Sequence, residues 1–364
     1  MKVLTIVGAR PQFIKAAAVC RAVRARHTEL LVHTGQHHDH DMSRVFFDQL
    51  GIPEPDLNLG IAGGPHGQMT GRMLEALETV IVRERPDWVL VYGDTNSTLA
   101  GALAAAKLHV AVAHVEAGLR SFNRRMPEEL NRVVTDHVST LLLCPTRNAV
   151  SLLEREGITR GVHNVGDVMF DSVLSNRARA AEVVDRRALL AGAGIDPGSQ
   201  YSLATLHRPE NTDDASRLGE VLAALSRLGL PVLLPLHPRT RKVLEATESL
   251  RSRLGPSIRI VAPLGYLELL AVAGDARVIL TDSGGLQKEA FFLGVRCVTL
   301  RDETEWIETV ELGANEVVGA NAERIVLAAQ RAVALGPLGP EVTRAGPFGD
   351  GRAAERIVAA LESS

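Results

Sequence analysis

Short, continuously apolar runs rich in β-branched residues recur along the chain. In the first half they are Val3–Val7, Leu30–His33, Trp88–Tyr92, Val110–Val115, Thr140–Cys144 and Val162–Val165. Their apolar positions do not alternate with polar ones, as expected of strands covered on both faces. Between them, Met69–Arg85 and Leu99–Lys107 space their apolar residues as amphipathic helices do. Repeated strand–helix units of this kind predict a parallel, doubly wound sheet with right-handed crossovers. From Asp167 to Pro197 the texture changes to a charged, alanine-rich helical stretch, read as the connection between domains. The alternation then restarts with Tyr201–Thr205, Val232–Leu236, Ile258–Val261, Val278–Thr281 and Val295–Leu300. The pattern predicts two doubly wound α/β domains facing a cleft, residues 1–168 and 169–348. A tail, 349–364, carries a last helix, Arg352–Leu361, that could pack back onto the first domain.

Composition narrows the function. The net charge of -3 comes without a basic run or aromatic interleaving, which argues against nucleic acid. Local arginine clusters point to small anions instead. Cys20, Cys144 and Cys297 are far apart and show no metal spacing. Buried thiols in a reducing compartment are expected, and with them a cytoplasmic location. The chain enters a strand at once, so no signal peptide is expected. No apolar run approaches the ~20 residues of a membrane span.

The candidate chemistry lies where strands end, because ligands of open α/β sheets bind outside the carboxyl ends of the strands. The segment Ala113–Arg132 puts Glu116 at the end of one strand run. Glu128 and Glu129 open a helix whose first turn suits Pro127. Carboxylates there, with cations nearby, suit proton transfer on a charged substrate. Gly8-Ala9-Arg10-Pro11 follows the first strand, with Lys15 one helical turn on; it is neither G-x-G-x-x-G nor a Walker loop, which counts against a dinucleotide enzyme. Asp94 follows Trp88–Tyr92, and Thr95 or Asn96 can cap the next helix. His207 and Arg208 end the first strand of the second domain beside Glu210. Most specific is Thr281-Asp282-Ser283-Gly284-Gly285, in which a strand delivers two glycines to the first turn of a helix. Free backbone N–H groups and the helix dipole make an anion site there. Glu289, further along that helix, could hold the two hydroxyls of a ribose.

These motifs resemble the non-hydrolysing UDP-N-acetylglucosamine 2-epimerases along nearly the whole chain. The matching stretches are GARPQFIK, VYGDTNSTLA, HVEAGLRS, MPEELNR, HRPEN, LTDSGGLQKEA and LRDETEW. The resemblance implies a glycosyltransferase-B type architecture of two Rossmann-like domains around a cleft. It implies interconversion of UDP-N-acetylglucosamine and UDP-N-acetylmannosamine at C2, with no cofactor and no metal. It places acid–base roles on Asp94, Glu116 and Glu128. Substrate contacts fall on Arg10, Lys15 and His207, with Arg208 beside it, and UDP contacts on Ser283, Gly284, Gly285 and Glu289. The implied mechanism is loss of the C2 proton, anti elimination of UDP to a 2-acetamidoglucal, and re-addition to the other face. A polysaccharide-forming role and a homodimer are the further expectations.

Two departures stand out. A usual Gln-His-Arg-Glu-Met, part of a second UDP-sugar site in some bacterial members, reads Gln36-His37-His38-Asp39-His40 here. A usual Thr-Glu-Arg-Pro-Glu reads Thr304-Glu305-Trp306-Ile307-Glu308, replacing a cation by an aromatic wall, with Arg301 placed to supply the charge. The alternatives are a 2-epimerase of a modified UDP-sugar such as a 2,3-diacetamido uronate, a glycosyltransferase of the same fold, a hydrolysing epimerase and a UDP-sugar sensor.

Overall fold

The computed structural model describes residues 1–36, 54–236, 238–344 and 346–364. The chain divides into two compact units, Met1–Ser172 with Gly346–Ser364, and Val173–Ala345. It passes from one to the other within the helix Val168–Val183.

The first unit holds β1 (Lys2–Val7), β2 (Thr28–His33), β3 (Leu57–Asn58), β4 (Trp88–Tyr92), β5 (Ala111–Val115), β6 (Leu141–Cys144) and β7 (Val162–Asn164). They form one sheet in the order β3-β2-β1-β4-β5-β6-β7. Every pairing is parallel, for instance Val3 with Trp88 and Val91 with His114. Strand order reverses between β1 and β4, so the loops after those two strands flank a topological switch point. The helices His66–Glu84 and Asn96–Lys107 cover one face, burying Met73, Leu77 and Val80 against Leu4, Ile6, Val89 and Val91.

Close approach requires glycine at Gly8 and Gly118, among other positions in this unit. A Cβ on Gly8 would lie 2.1 Å from the Ser97 hydroxyl oxygen and 2.2 Å from that of Thr34. Gly118 sits at φ 82, and a Cβ there would come within 2.5 Å of the Ala149 carbonyl oxygen.

The second unit holds β8 (Ser202–Thr205), β9 (Val232–Pro235), β10 (Ile258–Val261), β11 (Ile279–Thr281), β12 (Cys297–Thr299) and β13 (Asn315–Val317). Their order, β10-β9-β8-β11-β12-β13, repeats the winding of the first sheet, with its switch point between β8 and β11. Leu218, Val221, Leu222 and Leu225 of the helix Ala215–Ser226 close one face together with Ile325 and Ala329 of Ala322–Leu335. Both units are therefore doubly wound parallel α/β folds. The hydrophobic pattern missed β3 and β13, of two and three residues, because so short an edge strand carries no apolar run.

The last helix, Ala353–Ser363, belongs to the first unit and packs on the helix Arg10–Arg24. Its N-terminus is fastened by the Asp171 carboxylate, which accepts the N–H groups of Ala353 and Ala354 at 3.1 and 2.9 Å. A carboxylate at that end satisfies orphan donors and complements the helix dipole. Asp171→Ala is expected to cost about 1–2 kcal/mol in urea denaturation, the usual worth of a lost cap. Hydrogen exchange in Ala353–Ser363 should speed up more than elsewhere, and unchanged protection there would show that packing alone holds the helix.

Candidate active site

Sequence chemistry collects at the carboxyl ends of the central strands in each unit. In the first unit β4 ends at Tyr92, and Gly93 then turns the chain at φ 61. Thr95, not Asp94, caps the next helix, its hydroxyl accepting the Thr98 N–H at 3.3 Å. The Asp94 carboxylate is thereby left to pair with Arg132 of the helix Pro127–Val138. On the adjacent strand, Glu116 follows β5 and pairs with Lys15. Both ends of that pair lie over Gly93: a Cβ built there would be 3.3 Å from Glu116 Oε2 and 3.4 Å from Lys15 Nζ. Asp94, Glu116, Lys15 and Arg132 thus form one cluster of alternating charge. Arg132 also feels Glu129 and Glu116 and is held above the ordinary arginine value, the three carboxylates outweighing the opposing effect of burial.

Glu116 adopts the left-handed region at φ 69, and Phe122 does so at φ 57. A non-glycine residue there costs of order 1–3 kcal/mol, and such strain concentrates at functional sites. The backbone N–H of Glu116 donates to the Leu143 carbonyl at 3.0 Å, which holds the turn.

The three carboxylates of the Ala113–Arg132 segment separate by role. Glu128 is exposed in the first helical turn. Glu129 is 3% exposed and fastens the loop, accepting the N–H groups of Ser121 and Phe122 at 2.9 Å each and Arg132 Nη1 at 3.2 Å. Arg132 was not singled out from the sequence, although it stands one helical turn after Glu128 in MPEELNR. The Arg10 side chain and residues His37–His40 lie outside the described part of the structure.

In the second unit the buried carboxylate of Asp282, directly after β11, organises the turn after β8. It accepts the backbone N–H of His207 at 3.1 Å, that of Arg208 at 3.1 Å and Asn211 Nδ2 at 3.2 Å. His207 Nδ1 lies 3.0 Å from Asp282 Oδ1 in a side chain 52% exposed. That contact sets the ring's orientation and leaves Nε2 facing outward. Ser283 caps the helix Gly284–Leu293 by accepting the Leu286 N–H at 3.3 Å. Gly284 and Gly285 occupy its first turn, whose N–H groups have no intrahelical partner.

Glu289 is buried on the same helix beside Tyr266, and burial pushes its carboxyl up to about 7. Arg208 lines an open pocket of about 240 Å³ with Arg217 and Arg301.

The Thr304–Glu308 segment differs from the expectation in two respects. Trp306 is buried, and its ring carries Lys288 Nζ at 3.8 Å from the centroid. It is a cation–π platform under the helix and not an exposed wall. Arg301 supplies no unpaired charge, since it binds Glu305 through both terminal nitrogens at 3.0 and 3.1 Å. The three side chains approach the helix N-terminus. Arg301 Nη1, Glu305 Oε2 and Trp306 Nε1 each lie 3.8 Å from where a Gly284 Cβ would be.

Known proteins resemble this chain in sequence and in fold. The family model for UDP-N-acetylglucosamine 2-epimerase matches residues 21–362. A Pseudomonas aeruginosa protein, UDP-2,3-diacetamido-2,3-dideoxy-D-glucuronate 2-epimerase, is 52% identical over 98% of both chains. UDP-N-acetylglucosamine 2-epimerase of Methanocaldococcus jannaschii is 43% identical over 99% of both. The crystal structure of the M. jannaschii enzyme with UDP-GlcNAc and UDP superposes with TM-score 0.86 at 42% identity, covering both chains fully. That of the Neisseria meningitidis enzyme bound to UDP-GlcNAc gives 0.87 at 28% identity, again over both whole chains. No helix among the described residues is long and apolar enough to cross a membrane.

The raised Glu289 carboxyl makes a prediction about stability. Below about pH 4.5 the group is protonated in both folded and unfolded chains and contributes nothing. Between there and about 7 the folded state keeps a proton that the unfolded chain releases, so stability falls as pH rises. Glu289→Gln should match the parent protein in urea denaturation near pH 4.5 and exceed it at pH 8. Equal stabilities at both pH values would mean that the carboxylate is solvated.

Proposed function

The chain belongs to the UDP-N-acetylglucosamine 2-epimerase family, and we propose that it inverts C2 of UDP-N-acetylglucosamine to give UDP-N-acetylmannosamine, reversibly. The observation that carries this reading is the alternating cluster Lys15–Glu116 and Asp94–Arg132, with Glu128 on the same helix as Arg132. A C2 proton is not acidic in the ground state. It becomes removable only as the C1–O bond to UDP stretches and positive character builds at C1. A carboxylate of the cluster then accepts the C2 proton, the C–H electrons form the C1=C2 double bond, and the C1–O electrons leave with UDP. On return, UDP oxygen re-forms its bond to C1 on the face it left, and a second acid delivers a proton to C2 from the opposite face. Two carboxylates at the ends of neighbouring strands, each paired to its own cation, suit these two tasks.

Leaving-group stabilisation falls to the Ser283–Gly285 turn. Backbone N–H groups at a helix N-terminus act on a diphosphate without reorganising. His207, oriented by Asp282, adds a donor for the same charge. Glu289 accepts the ribose hydroxyls, and Lys15, Arg10 and Arg208 complete the substrate contacts. The enzyme is read as a cytoplasmic homodimer, and its three cysteines are buried thiols, the state a reducing compartment keeps.

A second reading, a 2-epimerase of UDP-2,3-diacetamido uronate, is favoured by the Pseudomonas relative. A uronate needs a cation for its extra carboxylate. Arg301 is already committed to Glu305, and Lys288 is held over Trp306. With both cations committed to other partners, the neutral sugar is preferred. Comparing kcat/KM for the two UDP-sugars tests this choice: UDP-N-acetylglucosamine should be the better substrate by tenfold or more, and a preference for the uronate would overturn it.

Asp94→Asn, Glu116→Gln and Glu128→Gln should each lower turnover by ~10²-fold or more, the range of general acid–base groups. UDP affinity should change little. With the parent enzyme in deuterated water, the product should carry deuterium at C2. Product that keeps its original hydrogen would rule out elimination, and near-normal turnover in all three variants would displace the acid–base assignment.

A further inference from the structure

His114 is the fourth residue of β5, fully buried, and was not assigned a role from the sequence. Its Nε2 lies 2.7 Å from the carbonyl oxygen of Gly93, the residue before Asp94. Its Nδ1 lies 2.7 Å from Asp136 Oδ1. A backbone carbonyl can only accept, so Nε2 must carry a proton. The second contact is settled by the other bonds of Asp136. Its Oδ2 accepts Arg120 Nη1 at 2.7 Å and the Gly118 N–H at 3.1 Å. The permanent charge of Arg120 at Oδ2, joined by a backbone N–H, favours the ionised carboxylate. Asp136 is therefore an acceptor at both oxygens, and Nδ1 must donate as well.

Every charged or titratable group facing this centre fits that assignment. Arg120 is itself satisfied by Glu156, at 2.7 and 2.8 Å. The Cys144 thiol on β6 is pushed up by burial and then by Asp136, so it stays neutral. Buried Arg120, His114 and Asp136, with Glu156 at the surface end of the set, balance two cations with two anions.

Position gives the set a consequence. Through Gly93, His114 holds the end of β4 that presents Asp94. Through Asp136, the same network pins Gly118 in the loop after Glu116. Asp136 also lies on the helix that carries Glu128 and Arg132. We propose that His114 is a doubly protonated imidazolium that acts as a positioning residue, fixing the aim of Asp94 relative to Glu116 from beneath the sheet edge. The role rests on the reading of Asp94 and Glu116 as acid–base groups. Misplacing such a group by about 1 Å is enough to cost of order 10²-fold in rate.

The test has a spectroscopic and a kinetic arm. In protein labelled with ¹⁵N-histidine at pH 7.5, both His114 ring nitrogens should resonate as protonated nitrogens, where a solvated imidazole shows one unprotonated nitrogen. Asp136→Asn should convert the ring to a neutral tautomer. His114→Gln, which keeps a donor for one partner only, should lower kcat ~10–100-fold with KM and UDP affinity within about twofold. His114→Leu should be worse or fail to fold, and the glutamine variant decides in that case.

A neutral ring in the parent protein overturns the proposal. So does His114→Gln with normal kcat while Asp94→Asn and Glu116→Gln are impaired. So does a loss of kcat matched by an equal loss of titratable UDP sites, which would mark unfolding only. Intact turnover in Asp94→Asn and Glu116→Gln overturns the acid–base reading itself and the positioning role with it, whatever the state of the ring.

Discussion

Parallel pairing is the constraint from which the rest follows. A strand can lie parallel to its neighbour only if the chain crosses back over the sheet, so all carboxyl ends gather on one edge. Both sheets obey it throughout, with the same winding and with a reversal beside β1 and β8. The loops after β4, β5, β8 and β11 then deliver Asp94, Glu116, His207 and Ser283 to those edges. None of these side chains needs a special fold of its own. Each is the first polar residue, or nearly so, that the chain reaches on leaving an apolar strand.

Charge pairing in dry surroundings is the second device. A buried ion pair contributes little net stability, because desolvation offsets most of the attraction, but losing one partner costs several kcal/mol. Such pairs therefore hold geometry better than they add stability. Asp94 with Arg132 and Glu116 with Lys15 hold their carboxylates in place at the sheet edge. Asp282 applies the same principle with neutral donors, gathering the backbone of His207 and Arg208 around one buried carboxylate. The strained backbone of Glu116 is consistent with this arrangement, since only surroundings that over-determine the turn can sustain it.

The Trp306 position shows how one substitution is absorbed. An arginine there would bring a guanidinium against Lys288, two cations in a buried space. Tryptophan turns the same contact attractive, with the ammonium over the ring face. The accompanying Arg301–Glu305 pair leaves the neighbourhood of Gly284 close to neutral. Relatives with 41% to 52% identity carry names for different UDP-sugars.

The sequence by itself determined the layers and the ends. Continuous apolar runs marked the long central strands, because a strand covered on both faces must be apolar at every position. Gly284 and Gly285 marked a helix start capped by Ser283, because that signal is local to one turn. Asp94, Glu116, Glu128 and His207 could be named because each directly follows a strand or opens a helix. Tertiary structure alone decided who pairs with whom. Lys15 meets Glu116 across 101 residues, Arg132 meets Asp94 across 38, and His114 meets Asp136 across 22. Such partners are chosen by crossovers and strand order, which no local period encodes. The same holds for Glu129, a loop fastener that sequence cannot distinguish from its neighbour Glu128. One helical step of about 100° turns one carboxylate into the protein and its neighbour out to solvent.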